Sequence, residues 1–317
     1  MRVRAYAPAC IGNFAAGFDL LGAAVAPLDG SLLGDVVAAE AALETSLTVS
    51  GRYAAQLPAD PQDNLVMRTY ALYREALHRQ GIEVPPLALH LEKNLPRCSG
   101  LGSSGSSVAA TLAVCQALLG SPLGLEEVFA LAGEAEGLFS GSPHLDNVVP
   151  SLIGGLQLLV PGRDGTPEAR VLPWPEDLVI ALASPAYELA TERSRRALPQ
   201  ELPLRDALAF GQNLAAFVWA LERGDREVLR RCLRDVLAEP YRAPLVPGFR
   251  SAQAAALAAG ALGCTLSGSG PAVFAVAEGV EQATTVATAL REAFAGAGLA
   301  SEVRLCGIDT RGARVLP

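Results

Sequence analysis

Lysine is almost absent from the chain. Lys93 is the only one among 25 Lys and Arg residues in 317. This usage fits a GC-rich genome that chooses Arg codons. It also confines chemistry: a Schiff base or a lysine contact to phosphate must use Lys93 or not exist. There is no basic stripe, and the net charge is −8. Phosphate neutralisation needs clustered positive charge, so nucleic acid is not an expected partner. The six cysteines (Cys10, Cys98, Cys115, Cys232, Cys264, Cys306) lie far apart without a Cys-x-x-Cys pair. Neither a zinc site nor a redox motif is signalled, and reduced thiols are expected. No apolar run has the length and lack of charge of a membrane span. Met1-Arg2-Val3-Arg4-Ala5-Tyr6-Ala7-Pro8 has no apolar secretion core. A cytoplasmic protein with no membrane partner is the expectation. No internal repeat or low-complexity run is visible.

What is present is apolar and long enough for more than one core. Half of the residues are hydrophobic, and the length suggests two domains. Up to Gly51 the chain alternates apolar and small residues between turn marks and reads as several strands. Asn64–Gln80 has helical spacing, and Leu87–Glu92 alternates like a half-buried strand. A Gly/Ser-rich loop from Pro96 opens a helix, and Leu125–Leu138 is a second one. The turn-rich Pro161-Gly162-Arg163-Asp164-Gly165 suggests a boundary, giving domains 1–160 and 161–317. Beyond it come an apolar strand at Leu178–Ala183 and helices near Arg205–Arg223, Arg226–Leu237 and Ser251–Ala259. A strand pair then flanks residues 267–271, followed by a helix at Val280–Phe294 and a strand at Glu302–Leu305. The order lacks strict βαβ alternation, so the expected class is α+β.

The strongest local signal is Pro96-Arg97-Cys98-Ser99-Gly100-Leu101-Gly102-Ser103-Ser104-Gly105-Ser106-Ser107. Glycines let backbone approach a polyanion, and the following helix aims free N–H groups and its positive end at the loop. Serine hydroxyls add donors for phosphate oxygens or a ligand for Mg²⁺. A helix start capped by serine would look similar, and the loop alone does not separate the two. Gly100–Gly105 matches G-x-G-x-x-G, but a Pro-containing loop stands where the dinucleotide fingerprint needs a strand. The Gly-Lys-Ser/Thr of a P-loop, the protein-kinase signatures and a Gly-x-Ser-x-Gly elbow are all missing.

Three further segments stand out. Ser267-Gly268-Ser269-Gly270-Pro271 is either a tight turn or a second wall of a phosphate site. Asn13-Phe14-Ala15-Ala16-Gly17-Phe18-Asp19 could orient a small polar substrate or be a capped turn. Glu136 falls near a helix C-terminus, where the dipole disfavours an acid, and local rule-breaking of this kind attracts a functional reading. It precedes Gly141-Ser142-Pro143-His144-Leu145-Asp146-Asn147, which reads as a Pro-bearing loop. With one His there, Mg²⁺ through a carboxylate is favoured over zinc.

Together these segments resemble the superfamily of galactokinase, homoserine kinase, mevalonate kinase and phosphomevalonate kinase. The chain is similar to the enterobacterial type of homoserine kinase over essentially its whole length. The likeness rests on Tyr6-Ala7-Pro8-Ala9, Gly17-Phe18-Asp19-Leu20-Leu21-Gly22, Gly34-Asp35-Val36, Leu91-Glu92-Lys93-Asn94 and the Gly/Ser loop. Downstream it rests on His144–Pro150, Gly154-Gly155, Glu239-Pro240-Tyr241-Arg242, Pro247–Arg250 and Ser267–Pro271.

The resemblance implies a ribosomal-S5-like N-terminal domain and a ferredoxin-like C-terminal domain with a cleft between them. It implies transfer of phosphate from ATP, with Mg²⁺, to the side-chain hydroxyl of L-homoserine, in threonine biosynthesis; it allows a homodimer. By matching position, Pro96 to Ser106 hold the triphosphate and Asn64 lies near the adenine. Ser104 and Glu136 match metal ligands. Asn13, Asp19, His144 and Asn147 match the substrate pocket, and Arg195 and Arg242 match the arginines for the substrate carboxylate. Asp19 would supply an anion for the ammonium. Some relatives use an Asp near Asp146 as a base; homoserine kinases are thought to manage without one. Two departures are noted: Gly105 stands where relatives usually carry Ala, and the bulk of Phe14 is expected to alter the pocket. A kinase of another small alcohol, such as mevalonate, is the alternative within the class. A nicotinamide dehydrogenase would rest on G-x-G-x-x-G alone.

Overall fold

A computed structural model describes residues 2–140, 144–163 and 167–317, except the side chains of 139 and 140. The chain opens with β1 (Val3–Pro8), β2 (Cys10–Gly12), β3 (Leu21–Pro27), β4 (Gly34–Ala41) and β5 (Ser46–Ser50). Helix α1 (Leu65–Arg79), β6 (Leu87–Glu92), α2 (Ser103–Leu118), α3 (Leu125–Ser140) and α4 (Leu145–Ile153) follow. Then come β7 (Leu156–Pro161), β8 (Pro167–Leu172), β9 (Leu178–Pro185), α5 (Thr191–Arg196), α6 (Leu204–Arg223), α7 (Arg226–Cys232) and α8 (Glu239–Arg242). The chain continues through α9 (Phe249–Ala258), β10 (Gly263–Leu266), β11 (Val273–Glu278), α10 (Gly279–Gly296), β12 (Ser301–Ile308) and β13 (Arg314–Val315). The mixture is α+β, as the sequence leads one to expect.

Local chemistry explains the main elements. Strand β6 buries every second residue, and β9 is buried almost throughout, as a strand covered on both faces must be. The Asn64 side chain caps α1 by accepting the N–H of Val66 at 2.9 Å. Gly224, in the left-handed conformation, stops α6. Helix α7 ends at Cys232, short of the expected Leu237. The Asp235 carboxylate takes the N–H groups of Leu237 and Ala238 at 2.9 and 2.8 Å, turning the chain toward α8.

One sheet has the order β13-β1-β4-β6-β5, with β5 and β6 parallel. The other runs β10-β11-β9-β12-β3-β7-β8, with β2 on β3. Late strands join early ones: β12 pairs β3, and β13 pairs β1. The first sheet and α1–α4 enclose one apolar core, which includes Tyr70, Tyr73, Leu89 and Val108. Strands β9–β11 pack on α9 and α10 around Phe249 and Phe294, while Phe274 of β11 joins a third core with Phe14 and Phe217; all are nearly fully buried. No described helix is long and apolar enough to cross a membrane.

Residues 144–147 do not form the expected loop. Leu145 opens α4, so Asp146 and Asn147 occupy its first turn. Pro150 lies inside that helix and has no N–H for the Asp146 carbonyl. That carbonyl faces β3 instead: a Cβ on Gly22 would sit 1.7 Å from it. On the opposite side, a Cβ on Gly105 in α2 would come within 3.2 Å of the Asn147 backbone. The Gly105 departure therefore falls at a close helix–helix approach. Gly22→Ala is expected to destabilise the fold by at least about 3 kcal/mol, the upper end of ordinary overpacking. Gly211→Ala in α6, where a Cβ meets nothing within 4 Å, should gain up to about 1 kcal/mol. Chemical denaturation of both variants measures this; an unchanged midpoint for Gly22→Ala would contradict the packing described.

Candidate active site

A cavity of about 620 Å³ collects residues from β6, from α1–α5 and α8, and from the loops between them. It is lined by Asn13, Asp19, Asn64, Arg97, Cys98, Ser99, Gly100, Gly102, Ser103, Ser104 and Glu136. His144, Asp146, Asn147, Arg195, Arg242, Gly268 and Ser269 complete the set expected from the sequence. Pro96, Leu101, Gly105, Ser106 and Gly270 are not in its wall. Leu101 belongs to a core cluster. Ser106 donates to the Ala7 carbonyl at 2.8 Å and accepts the Asp35 N–H at 2.9 Å. Phe14, expected to shape the pocket, is fully buried elsewhere. Its ring lies 5.2 Å from Trp174 and 5.2 Å from Phe274. Gly141, Ser142 and Pro143 lie outside the described residues.

At one end of the cavity is the N-terminus of α2. Cys98, Gly100 and Gly102 have positive φ, which coils the loop back on itself. Gly102 is the cap residue, and no side chain caps the helix. The serine-cap alternative therefore does not hold, and the first-turn N–H groups have no intrahelical acceptor. Leu57, Pro58, Leu65 and Leu91 add an apolar wall around Asn64. Apart from Leu91, which belongs to the Leu91–Asn94 segment, they carry no recognisable motif.

The 267–271 turn is a junction between the two ends. Ser267 Oγ donates to the Gly100 carbonyl at 2.5 Å, and the Ala272 N–H to the Ser99 carbonyl at 2.9 Å. The Gly268 carbonyl accepts Asn13 Nδ2 at 3.3 Å and Arg242 Nη1 at 3.0 Å. At the far end, Arg195 grips Asp19 as a fork, with contacts of 3.0 to 3.1 Å. The Asp19 N–H in turn donates to Asn13 Oδ1 at 3.0 Å. Both guanidiniums approach the Phe18 ring, Arg195 at 5.8 Å and Arg242 at 5.2 Å. The sequence offers no local sign of the Phe18 contact or of the Asp19–Arg195 pair.

Between the ends lie two buried carboxylates. Burial pushes Glu136 up to about 7; a Ser104 hydrogen bond at 3.2 Å opposes this, and the Asp146 charge adds to it. Asp146 is likewise pushed up to about 7, by burial and then by the Asp19 charge. It accepts the Asn13 N–H and Asn147 Nδ2, each at 3.0 Å. Burial, then the charge of Arg195, lowers the His144 pKa and favours the neutral ring. Ser104 and Glu136 offer hard oxygen donors. Such a pair suits Mg²⁺ completed by phosphate oxygens and water, and does not suit zinc. Among the described residues no group of three or more His, Cys, Asp or Glu is arranged to hold a metal alone.

Residues 64–155 match the GHMP kinases N terminal domain, and residues 217–296 match the GHMP kinases C terminal domain. The chain belongs to the GHMP kinase family, and its structure is the two-domain α+β kinase fold of that family. A homoserine kinase from Cytophaga hutchinsonii is 33% identical with a TM-score of 0.90, over 99% of this chain and 97% of that one. A putative homoserine kinase from Listeria monocytogenes is 25% identical with a TM-score of 0.71, over 99% of each chain. Lactococcus lactis galactokinase, solved with galactose, shares the fold at 15% identity and a TM-score of 0.73, over 99% of this chain and 95% of that one.

The buried acids set a pH dependence. Their folded pKa values lie above the ordinary carboxylate values, so the folded protein binds protons more readily than the unfolded chain. For Glu136 the window runs from the ordinary 4.5 to about 7. Stability from this source falls as pH rises through that window, and the full penalty stands above it. Glu136→Gln is uncharged throughout. Its Tm advantage over the wild type should be small near about pH 5 and grow toward about pH 8. A pH-independent difference would contradict the burial of a charge at this position.

Proposed function

We propose that the protein is a small-molecule kinase that phosphorylates the side-chain hydroxyl of L-homoserine with ATP and Mg²⁺. The observation that carries this reading is the chemistry of the two ends of one cavity. The uncapped α2 terminus and the 96–106 loop suit a triphosphate. The Asp19–Arg195 fork with Arg242 beside it suits a zwitterion. Asp19 and Arg195, which neutralise each other, would exchange that contact for the ligand's ammonium and carboxylate. Mevalonate has no ammonium and would leave Asp19 without a partner. The 33% identity to a homoserine kinase across nearly the whole chain supports the same substrate.

Phosphoryl transfer needs positioning and charge neutralisation more than covalent chemistry. Backbone N–H groups of the loop and of the first turn of α2 hold the phosphates. Asn64 and its apolar neighbours receive the base. Ser104 and Glu136 would hold Mg²⁺, which supplies neutralisation of phosphate charge when bound. Asn13, His144 and Asn147 line the alcohol side. Asp146, with a pKa of about 7, is the candidate to accept the hydroxyl proton, since a base works best near its operating pH. Residues 1–160 would supply the nucleotide side and 161–317 most of the clamp that completes the cleft.

The direct test is transfer of labelled phosphate from ATP to L-homoserine, mevalonate and galactose in turn, with products identified by mass. Homoserine should be the preferred acceptor; a stronger signal with another alcohol overturns the assignment. Arg242→Ala should raise KM for homoserine at least about 10-fold, the scale of one lost charge-assisted contact, while KM for ATP stays near the wild-type value. Equal effects on both substrates would remove Arg242 from the carboxylate site. Glu136→Gln should fold and lower kcat by at least about 10²-fold, with a raised Mg²⁺ requirement. A folded variant with unchanged kcat and Mg²⁺ dependence would sink the metal-ligand role.

A further inference from the structure

The only lysine of the chain is buried. Lys93 is 2% exposed and Asp35 is completely enclosed. Lys93 directly follows β6, with Asn94 and Leu95 between it and Pro96, and Asp35 lies on β4. The ammonium has three N–H bonds, and all three have acceptors. One goes to the Asp35 carboxylate, one to the Ser103 carbonyl at 2.9 Å and one to the Ser107 hydroxyl at 3.0 Å. The Asp35 carboxylate is equally committed. Its Oδ1 accepts the N–H groups of Asn94 and Leu95 at 2.9 and 3.1 Å. Its Oδ2 accepts Lys93 and the Ser107 hydroxyl, the latter at 2.6 Å.

These bonds join the two ends of one segment. Asn94 and Leu95 enter the loop; Ser103 and Ser107 leave it in the first turns of α2. Ser103 Oγ closes the same gap by donating to the Leu95 carbonyl at 3.2 Å. Between them the backbone passes through three residues of positive φ, Cys98, Gly100 and Gly102. Chain of that kind has many alternative conformations to lose. A fixed base limits them before any ligand arrives.

We propose that Asp35 and Lys93 form a clasp that preorganises the 96–106 loop for nucleotide, and that Lys93 is a positioning residue and not a phosphate ligand. This rests on the reading of that loop as the triphosphate site. The cation chosen fits the task. An ammonium sends its donors in three tetrahedral directions, here toward acceptors on one strand, β4, and in the first turns of one helix, α2. A guanidinium holds its donors in one plane and cannot meet the same set. This accounts for a lysine here in a chain that otherwise uses arginine.

The discriminating variant is Asp35→Asn, which keeps the Lys93 charge while breaking the clasp. Binding of a non-hydrolysable ATP analogue with Mg²⁺ is measured by calorimetry. Amide hydrogen exchange of residues 94–107 and a thermal melt accompany it. The clasp requires a nucleotide Kd at least about 10-fold weaker, one contact's worth of affinity, with faster exchange across the loop. KM for the acceptor alcohol should stay near the wild-type value. Unchanged or tighter nucleotide binding would overturn the proposal, because a released ammonium that reaches phosphate directly gains by losing Asp35. If Asp35→Asn does not fold, Ser107→Ala removes one neutral member of the same network. It should show the same two changes at smaller size, and unchanged binding and exchange in it overturn the clasp. If the wild type binds no nucleotide, the triphosphate reading falls. The clasp is then judged by exchange alone, and equal protection in variant and wild type overturns it.

Discussion

The first turn of α4 approaches β2, β3 and α2 as closely as it does only because residues 12, 22 and 105 are glycine. A Cβ on Gly12 would meet the side chains of Asp146 and Asn147 at 2.8 Å. A Cβ on Gly22 or Gly105 would meet the α4 backbone. The approach carries Asp146 to the Asn13 N–H and brings Asn147 within 3.6 Å of the Cys10 thiol. The loop from Asn13 to Asp19, the α4 turn and the α2 terminus are thereby fixed relative to one another.

The electrostatic consequence of this packing is a pair of buried acids, Glu136 and Asp146: burial raises both, the Asp146 charge raises Glu136 further, and the Asp19 charge raises Asp146 further. Desolvated carboxylates are costly unless a cation or proton joins them. Burial raises both carboxyls, so each holds a proton more tightly than an exposed acid does. A divalent ion beside Glu136 and a substrate ammonium at the Asp19 end would offset that cost in the working complex. On the proposed function, the stability lost to buried charge would be recovered on binding, a form of preorganisation suited to charge-neutralised phosphoryl transfer.

Much of this is legible in the sequence where the signal is local. The 96–107 loop announces itself because a tightly coiled turn needs glycine at left-handed positions, and Gly100 and Gly102 occupy two of them. Strand β6 and helices α1, α3 and α10 follow from periodicity. Contacts between distant positions are not legible in this way: Asp19 and Arg195 are 176 residues apart, and Asp35 and Lys93 are 58 apart. The start of α4 is not legible either: residues 144–147 follow Pro143 and read as a loop, whereas they open a helix whose Pro150 leaves the Asp146 carbonyl free to pack on Gly22. Phe14 misled as well, since bulk beside a substrate motif reads as a pocket wall when it is core. The end of α7 was hidden by a side-chain turn at Asp235, a competition that periodicity does not register.

The central claim is that Glu136 holds a proton in the free protein and gives it up to a cation. Calorimetric titration with Mg²⁺ and a non-hydrolysable ATP analogue, in buffers of different ionisation enthalpy, reads this directly. Near about pH 6.5 the wild type should release up to one proton more than Glu136→Gln, and the excess should vanish above about pH 8.5. Identical proton release by the two proteins at all pH values would contradict the account.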